Sequence, residues 1–255
     1  MIVTTGMHRS GISLVCQLIS ALGVDFGESG QLYAQDHWNE QGYYEALPVI
    51  DINSQIITGW PRTRSHASAW LSKIIYLTMP SSERIARRAV RHRASLQEIG
   101  HRYGRMAIKD PRICLTLGAW LAAAPGSQVV MCLREPRDVI SSLWRRDRVP
   151  AAIAFRFWAY HIDNLLGALP EDRTVLISFD KLQGPERIAQ MTLLAKFLNI
   201  ETQEKHVERI LSKVYSAGFA HGSDHPAPRY PPRVAALWNR ACELAVRRER
   251  EIVGG

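Results

Sequence analysis

Long apolar runs and paired cysteines are what this sequence first lacks. No uninterrupted apolar stretch approaches the roughly 20 residues a membrane span requires, so a transmembrane helix is not expected. The 4 cysteines in 255 residues (Cys16, Cys114, Cys132, Cys242) stand far apart, without C-x-x-C or zinc-ligand spacing. Three fall inside apolar patterns and read as buried free thiols. The chain opens on Met1-Ile2-Val3-Thr4-Thr5, which has neither the basic start nor the apolar stretch of a signal peptide. The expectation is a cytoplasmic protein. Internal repeats and low-complexity linkers are also absent. With 46% hydrophobic residues the chain can bury one substantial core, and a single domain over 1–255 is expected.

Acidic residues are outnumbered: 32 Lys and Arg against 24 Asp and Glu give a formal charge of +8, which calls for an anionic partner of some kind. The densest basic stretch is Arg84, Arg87, Arg88, Arg91, Arg93, Arg102 and Arg105, with several at helical spacing. A solvated helix face explains it, as does contact with an acidic acceptor, a carrier protein or nucleic acid. Aromatic interleaving and known docking motifs are missing, so nucleic acid is not the expected partner.

Apolar runs at Ile2–Thr5, Met106–Ile108, Gln128–Leu133 and Thr174–Ile177 read as strands. Helical periodicity follows each, from Ile12, after Arg112, from Pro136 and from Gly184, with further helices from Pro150, near 204–214 and near 232–248. A basic helix is expected from Ser82 to about Tyr103, and loops with short helices over 24–60, where glycines and a proline interrupt the pattern. Alternating strands and helices predict an α/β fold, a parallel sheet flanked by helices. Ligands of such sheets sit beyond the carboxyl ends of the strands. Those ends are Gly6, Lys109, Arg134 and Phe179: a glycine loop, two cations and an aromatic ring, suited to a nucleotide-like anion.

The first strand runs into Gly6-Met7-His8-Arg9-Ser10-Gly11-Ile12-Ser13. Its glycines have P-loop spacing, but Ile12 stands where a Walker motif requires lysine. A backbone N–H nest at a helix N-terminus attracts phosphate without that lysine, and Arg9 supplies a cation. ATP chemistry also wants a strand-end aspartate for magnesium. The strand Gln128–Leu133 ends instead in Arg134. The loop therefore reads as built for a phosphate-like group without a bound metal.

On these residues the sequence resembles the PAPS-dependent sulfotransferases of the bacterial branch, with their P-loop NTPase-like sulfotransferase fold. In that family a lysine or arginine precedes a Ser-Gly-Thr-Thr or Ser-Gly-Thr-Ser run that binds the 5′-phosphosulfate of 3′-phosphoadenosine-5′-phosphosulfate (PAPS). Arg9, Ser10, Gly11 and Ser13 match; Ile12 departs from the usual threonine. A second family motif, a strand-end arginine with a serine eight residues on, holds the 3′-phosphate, and Arg134 and Ser142 match it. Phe179 stands where some members lay a tyrosine on adenine; a core phenylalanine explains it equally. The resemblance thus implies a donor site of His8, Arg9, Ser10, Gly11, Ile12, Ser13, Arg134, Ser142 and Phe179, and covers Ile2 to about Asn199. It implies sulfuryl transfer to a hydroxyl of a small-molecule or carrier-bound acceptor, leaving adenosine 3′,5′-bisphosphate (PAP), without a metal.

Sulfuryl transfer needs a base for the hydroxyl and positive charge at the transferring and leaving oxygens. Arg9 and Lys109 are expected to supply the charge, Lys109 resembling the lysine of a Lys-Asp-Pro segment in the tyrosylprotein branch. The histidine that serves the cytosolic branch as base has no counterpart after Lys109, where Asp110 and Pro111 follow. Glu45 is the preferred base: Asn39-Glu40-Gln41-Gly42-Tyr43-Tyr44-Glu45 resembles a recurrent Asn-Pro-x-Gly-Tyr-Trp-Glu segment. Glu28, His37 and Asp36 are the alternatives. Trp38, Tyr43, Tyr44, Trp60 and Trp70 line an acceptor pocket or serve as packing. The competing readings are a small-molecule kinase using ATP and a basic nucleic-acid-binding module.

Overall fold

The four apolar runs become the strands of one parallel sheet. The computed structural model describes residues 1–34, 42–215 and 229–254. The strands are β1 (Ile2–Thr5), β2 (Ala107–Lys109), β3 (Gln128–Leu133) and β4 (Thr174–Ser178), in the order β2-β1-β3-β4. Register is set by pairs such as Val3 with Ile108, Thr4 with Val130, and Met131 with Leu176. Because all strands run the same way, Lys109 ends β2 and Gly6, Arg134 and Phe179 follow β1, β3 and β4 at a single edge, as the sequence requires.

Side chains of β3 alternate between two cores, as the two-residue period of a strand dictates. Val129, Met131 and Leu133 join one; Val130 and Cys132 join the other. The first core takes in α2 (Leu47–Thr58), α6 (Ile113–Ala123), α7 (Pro136–Asp147), α8 (Ala151–Ala168) and α12 (Pro232–Gly254). The second takes in α1 (Ile12–Ala21), α10 (Arg187–Phe197) and α11 (Glu204–Tyr215). Both sheet faces are covered, which is why the strands are buried nearly throughout rather than at alternate residues. Cys16, Cys114 and Cys132 are buried free thiols. Among the described residues no helix is long and apolar enough to cross a membrane.

Three local expectations change. Residues 47–58, expected as loop and short helices, form the 12-residue α2. The proline and glycine taken as breakers are its boundaries: Pro48 lies in the first turn, where its missing N–H costs nothing, and Gly59 caps the end at φ 88°. The basic helix splits at His92 into α4 (Ser82–Arg91) and α5 (Arg93–Arg102). Arg84, Arg87, Arg91 and Arg93 are exposed there, while Arg88 donates to the carbonyl of Ile57 at 2.6 Å. Phe179 opens a short helix, α9 (Phe179–Gln183), instead of closing β4. The helix α3 (His66–Leu77), which carries a Ser65 capping box, has no counterpart among the expected elements.

Candidate active site

The glycines of the loop are required by contact. A Cβ on Gly6 would lie 2.6 Å from the carbonyl oxygen of Cys132, and one on Gly11 2.0 Å from Cδ2 of Phe179. Gly11 also adopts φ 87°, and Arg9 two positions before it φ 68°, so two left-handed residues fold the chain back on itself before α1 begins. The loop carbonyls turn into the protein: Cys132 Sγ donates to Ser10 O at 2.9 Å, and Arg134 Nη1 to Arg9 O at 3.0 Å. The N–H groups in the first turn of α1 have no helical carbonyl to bind. Ile12 is buried at this helix start, so its backbone, not its side chain, is what it offers to a ligand.

Arg134 reaches the loop from the end of β3. Its guanidinium lies 4.4 Å from the centroid of Phe179, so the ring is held between Arg134 and Gly11. Phe179 is only 8% exposed and belongs to the core around α1 and α10. Asp138, one turn on, is a loose partner at 3.9 Å. Arg134 Nε and Ser10 Oγ are buried without a hydrogen-bond partner. Ser142, on α7, accepts a hydrogen bond from Arg9 Nε at 2.9 Å, which joins the two sequence motifs directly.

Lys109 ends β2 buried, with Nζ 2.7 Å from Glu45 Oε1, 2.8 Å from the carbonyl of Tyr43 and 3.4 Å from Ser13 Oγ. Glu45 therefore sits at the site edge as the partner of a lysine. Glu28 is elsewhere: Asp25 O accepts from Ala107 N at 2.8 Å, which puts this segment beside the amino end of β2, and Glu28 is exposed. Asp36, His37 and Trp38 lie outside the described residues. The remaining aromatics do not form one cluster. Tyr44 packs on Phe26 at 5.0 Å, Tyr43 on Tyr33 at 5.6 Å, and Trp60 and Trp70 are exposed.

Sequence reasoning passed over Arg112, although it completes Lys109-Asp110-Pro111-Arg112. Asp110 is fully buried; its Oδ1 accepts from Arg112 N and Nε, both at 2.9 Å, and its Oδ2 from Asn53 Nδ2 at 2.9 Å. Arg112 Nη1 donates to Ser54 Oγ at 2.7 Å, and Thr5 Oγ1 to the carbonyl of Asp110 at 3.2 Å. This paired, hydrogen-bonded network ties the carboxyl end of β2 to β1 and α2, and so fixes Lys109. Arg112 Nη2 is buried with no partner.

His8 turns the other way from Arg9. Its Nε2 is 2.8 Å from Tyr76 Oη on α3, Tyr76 Oη meets His161 Nε2 on α8, and His161 Nδ1 is 2.7 Å from the carbonyl of Phe157. Burial holds His161 down at about 4, so it is neutral at pH 7. Burial also pushes His8 well below the usual histidine range, helped by His161 and by the cations Arg112, Arg62 and Lys109. Neither Tyr76 nor His161 was marked by the sequence, because both stand at ordinary helical positions.

One solved structure shares this arrangement of strands and helices over nearly its whole length. It is a sulfotransferase domain from the curacin biosynthetic pathway, which superposes with a TM-score of 0.52 over 95% of this chain and 97% of that one, at 16% identity. The fold is that of a sulfotransferase domain. A sulfotransferase domain from the Synechococcus PCC 7002 olefin synthase covers 96% of this chain and 92% of its own at 17% identity, but its TM-score of 0.44 is too loose to bear on the fold. No protein-family model matches the sequence, and no curated protein matches it. Within this sulfotransferase fold, the glycine loop and the strand ends form the candidate site.

Proposed function

We propose that this chain, as one domain, is a PAPS-dependent sulfotransferase acting on a hydroxyl of a small-molecule or carrier-bound acceptor. The observation that carries the reading is a pair of buried, unpartnered polar atoms, Ser10 Oγ and Arg134 Nε, at a loop that ends on a helix N-terminus. Unsatisfied buried donors cost about 1–3 kcal/mol each, and an anionic donor nucleotide satisfies both. Arg9 and Ser142, already in contact, complete the cradle. Ile12 in place of a Walker lysine, and Arg134 in place of a strand-end aspartate, disfavour ATP with magnesium. The family resemblance of these same residues supports PAPS.

The donor supplies a sulfuryl group whose transfer breaks the sulfur–oxygen bond to the 5′-phosphate and leaves PAP. In this reading Arg9 and Lys109 put positive charge where the transferring and leaving oxygens gain negative charge. Glu45 holds Lys109 in place. Phe179 supports Gly11 and Arg134 from beneath the loop.

Thermal unfolding with PAP (3′,5′-ADP), ATP–magnesium and an oligonucleotide tests the reading. PAP at about 100 times its Kd should add about 2.7 kcal/mol, and ATP–magnesium much less. An equal shift with ATP–magnesium supports the kinase, and a shift with the oligonucleotide alone supports a nucleic-acid module.

A further inference from the structure

We propose that His8, through its Nδ1, is the general base that takes the proton of the acceptor hydroxyl. This rests on the sulfotransferase reading above and assigns the step that reading leaves open.

The carbonyl of Phe157 can only accept, so His161 Nδ1 carries a hydrogen. His161 is fully buried and neutral, so its Nε2 is a lone pair, and Tyr76 must donate its O–H there. The oxygen of Tyr76 then accepts, and His8 Nε2 must be the donor across their 2.8 Å contact. A neutral His8 with its proton on Nε2 has a bare lone pair on Nδ1. Among the described residues nothing binds that nitrogen. Nδ1 is the ring nitrogen nearer the backbone, and that backbone belongs to the glycine loop itself, residues 6–11.

The chain of three hydrogen bonds positions the ring and fixes its tautomer, the part a carboxylate plays for catalytic histidines elsewhere. Glu45 is the weaker candidate because its carboxylate is held at 2.7 Å by Lys109. The charged and titratable groups facing His8 are Tyr76 on α3, His161 on α8, Lys109 at the end of β2, Arg112 after it, and Arg62 ahead of α3. Burial first, then His161 and the cations, keep the ring neutral in the absence of donor. An anionic donor in the loop offsets the cations and raises the proton affinity of Nδ1 when a base is needed. In the step, the hydroxyl proton passes to Nδ1, the hydroxyl oxygen bonds to sulfur, and the bond from sulfur to the 5′-phosphate oxygen breaks. Its electron pair leaves with PAP, and the imidazolium returns its proton to water.

His8→Gln keeps an N–H for Tyr76 and removes the titrating nitrogen. It should lower PAPS turnover, followed as PAP release with p-nitrophenol or water as acceptor, by roughly 10²–10⁴-fold. PAP affinity should stay within a few-fold, because the side chain faces Tyr76. Tyr76→Phe frees the tautomer and should move the acid limb of the pH–rate profile, with a smaller loss of rate. Nitrogen-15 NMR of the wild type should show His8 protonated at Nε2 and bare at Nδ1, which needs neither turnover nor the variants. If the wild type does not bind PAP, the sulfotransferase reading falls and this proposal with it. If PAP binds but His8→Gln turns over normally, or His8 is protonated at Nδ1, the proposal falls and the reading stands.

Discussion

Arg9 Nε donates to Ser142 Oγ at 2.9 Å, so the glycine loop and α7 are latched to each other. The two residues come from motifs that lie 133 positions apart. Groups in direct contact do not contribute independently. Arg9→Ala and Ser142→Ala should each weaken PAP binding, and the double variant should lose less than the sum, with a coupling of about 0.5–3 kcal/mol. Calorimetric titration of the four proteins measures it. Strict additivity means that the contact is incidental to binding.

Arg134 touches the loop carbonyl of Arg9 and the ring of Phe179, and keeps Nε unpartnered. A charge-assisted hydrogen bond is worth about 1.5–3 kcal/mol. Arg134→Ala should therefore weaken PAP about 10- to 100-fold, and 5′-AMP, which lacks the 3′-phosphate, much less. Equal losses for the two ligands assign Arg134 to loop construction alone.

Gly11 and Gly126 share a left-handed backbone, at φ 87° and 88°, but only Gly11 has a neighbour in the way. Gly126→Ala should cost about 1–2 kcal/mol for the backbone strain. Gly11→Ala adds the 2.0 Å clash with Phe179 and should cost clearly more, together with PAP binding. Chemical unfolding of both variants separates conformational strain from overlap; equal costs contradict the packing described.

Glu45→Gln leaves Lys109 buried without its carboxylate. Breaking a buried pair on one side costs about 3–5 kcal/mol, and the amide oxygen that remains should hold this variant at or below the low end. Combining it with Lys109→Met should recover much of the loss. A single variant as stable as the wild type means that the pair contributes nothing to the fold.

His161 sets an acid limit. Its ordinary value of 6.5 falls to about 4 in the fold, so between these the unfolded chain holds a proton that the folded chain does not. Stability contributed by the neutral ring is complete above 6.5 and is lost as pH falls toward 4, to about 3 kcal/mol. Denaturant midpoints at pH 7.5 and 5 should differ, and by less in His161→Gln. An unchanged difference assigns the acid sensitivity to other groups, His8 first among them.

The sequence by itself determined the sheet and the edge where chemistry gathers. Four apolar runs read as strands, and a parallel sheet brings Gly6, Lys109, Arg134 and Phe179 together whatever the loops do, because strand direction alone decides it. Local pattern also placed α1, α6, α7 and α8 closely. It misread Pro48 and Gly59, since a proline and a glycine mark helix ends as readily as loops, and only packing against the sheet shows which.

What tertiary structure alone decided is who partners whom. Nothing in the spacing of Glu28 and Glu45 says which returns to the carboxyl edge; the path of the chain after α1 takes the first to the wrong end and the second to Lys109. His8, Tyr76 and His161 are separated by 68 and 85 residues along the chain, and none shows a periodic or motif signal linking it to the others. Their order of proton donation exists only because the fold brings Tyr76 of α3 and His161 of α8 into line with His8. Hydrophobic periodicity specifies which face of an element is buried, while side-chain hydrogen bonds depend on distances that only the assembled fold sets.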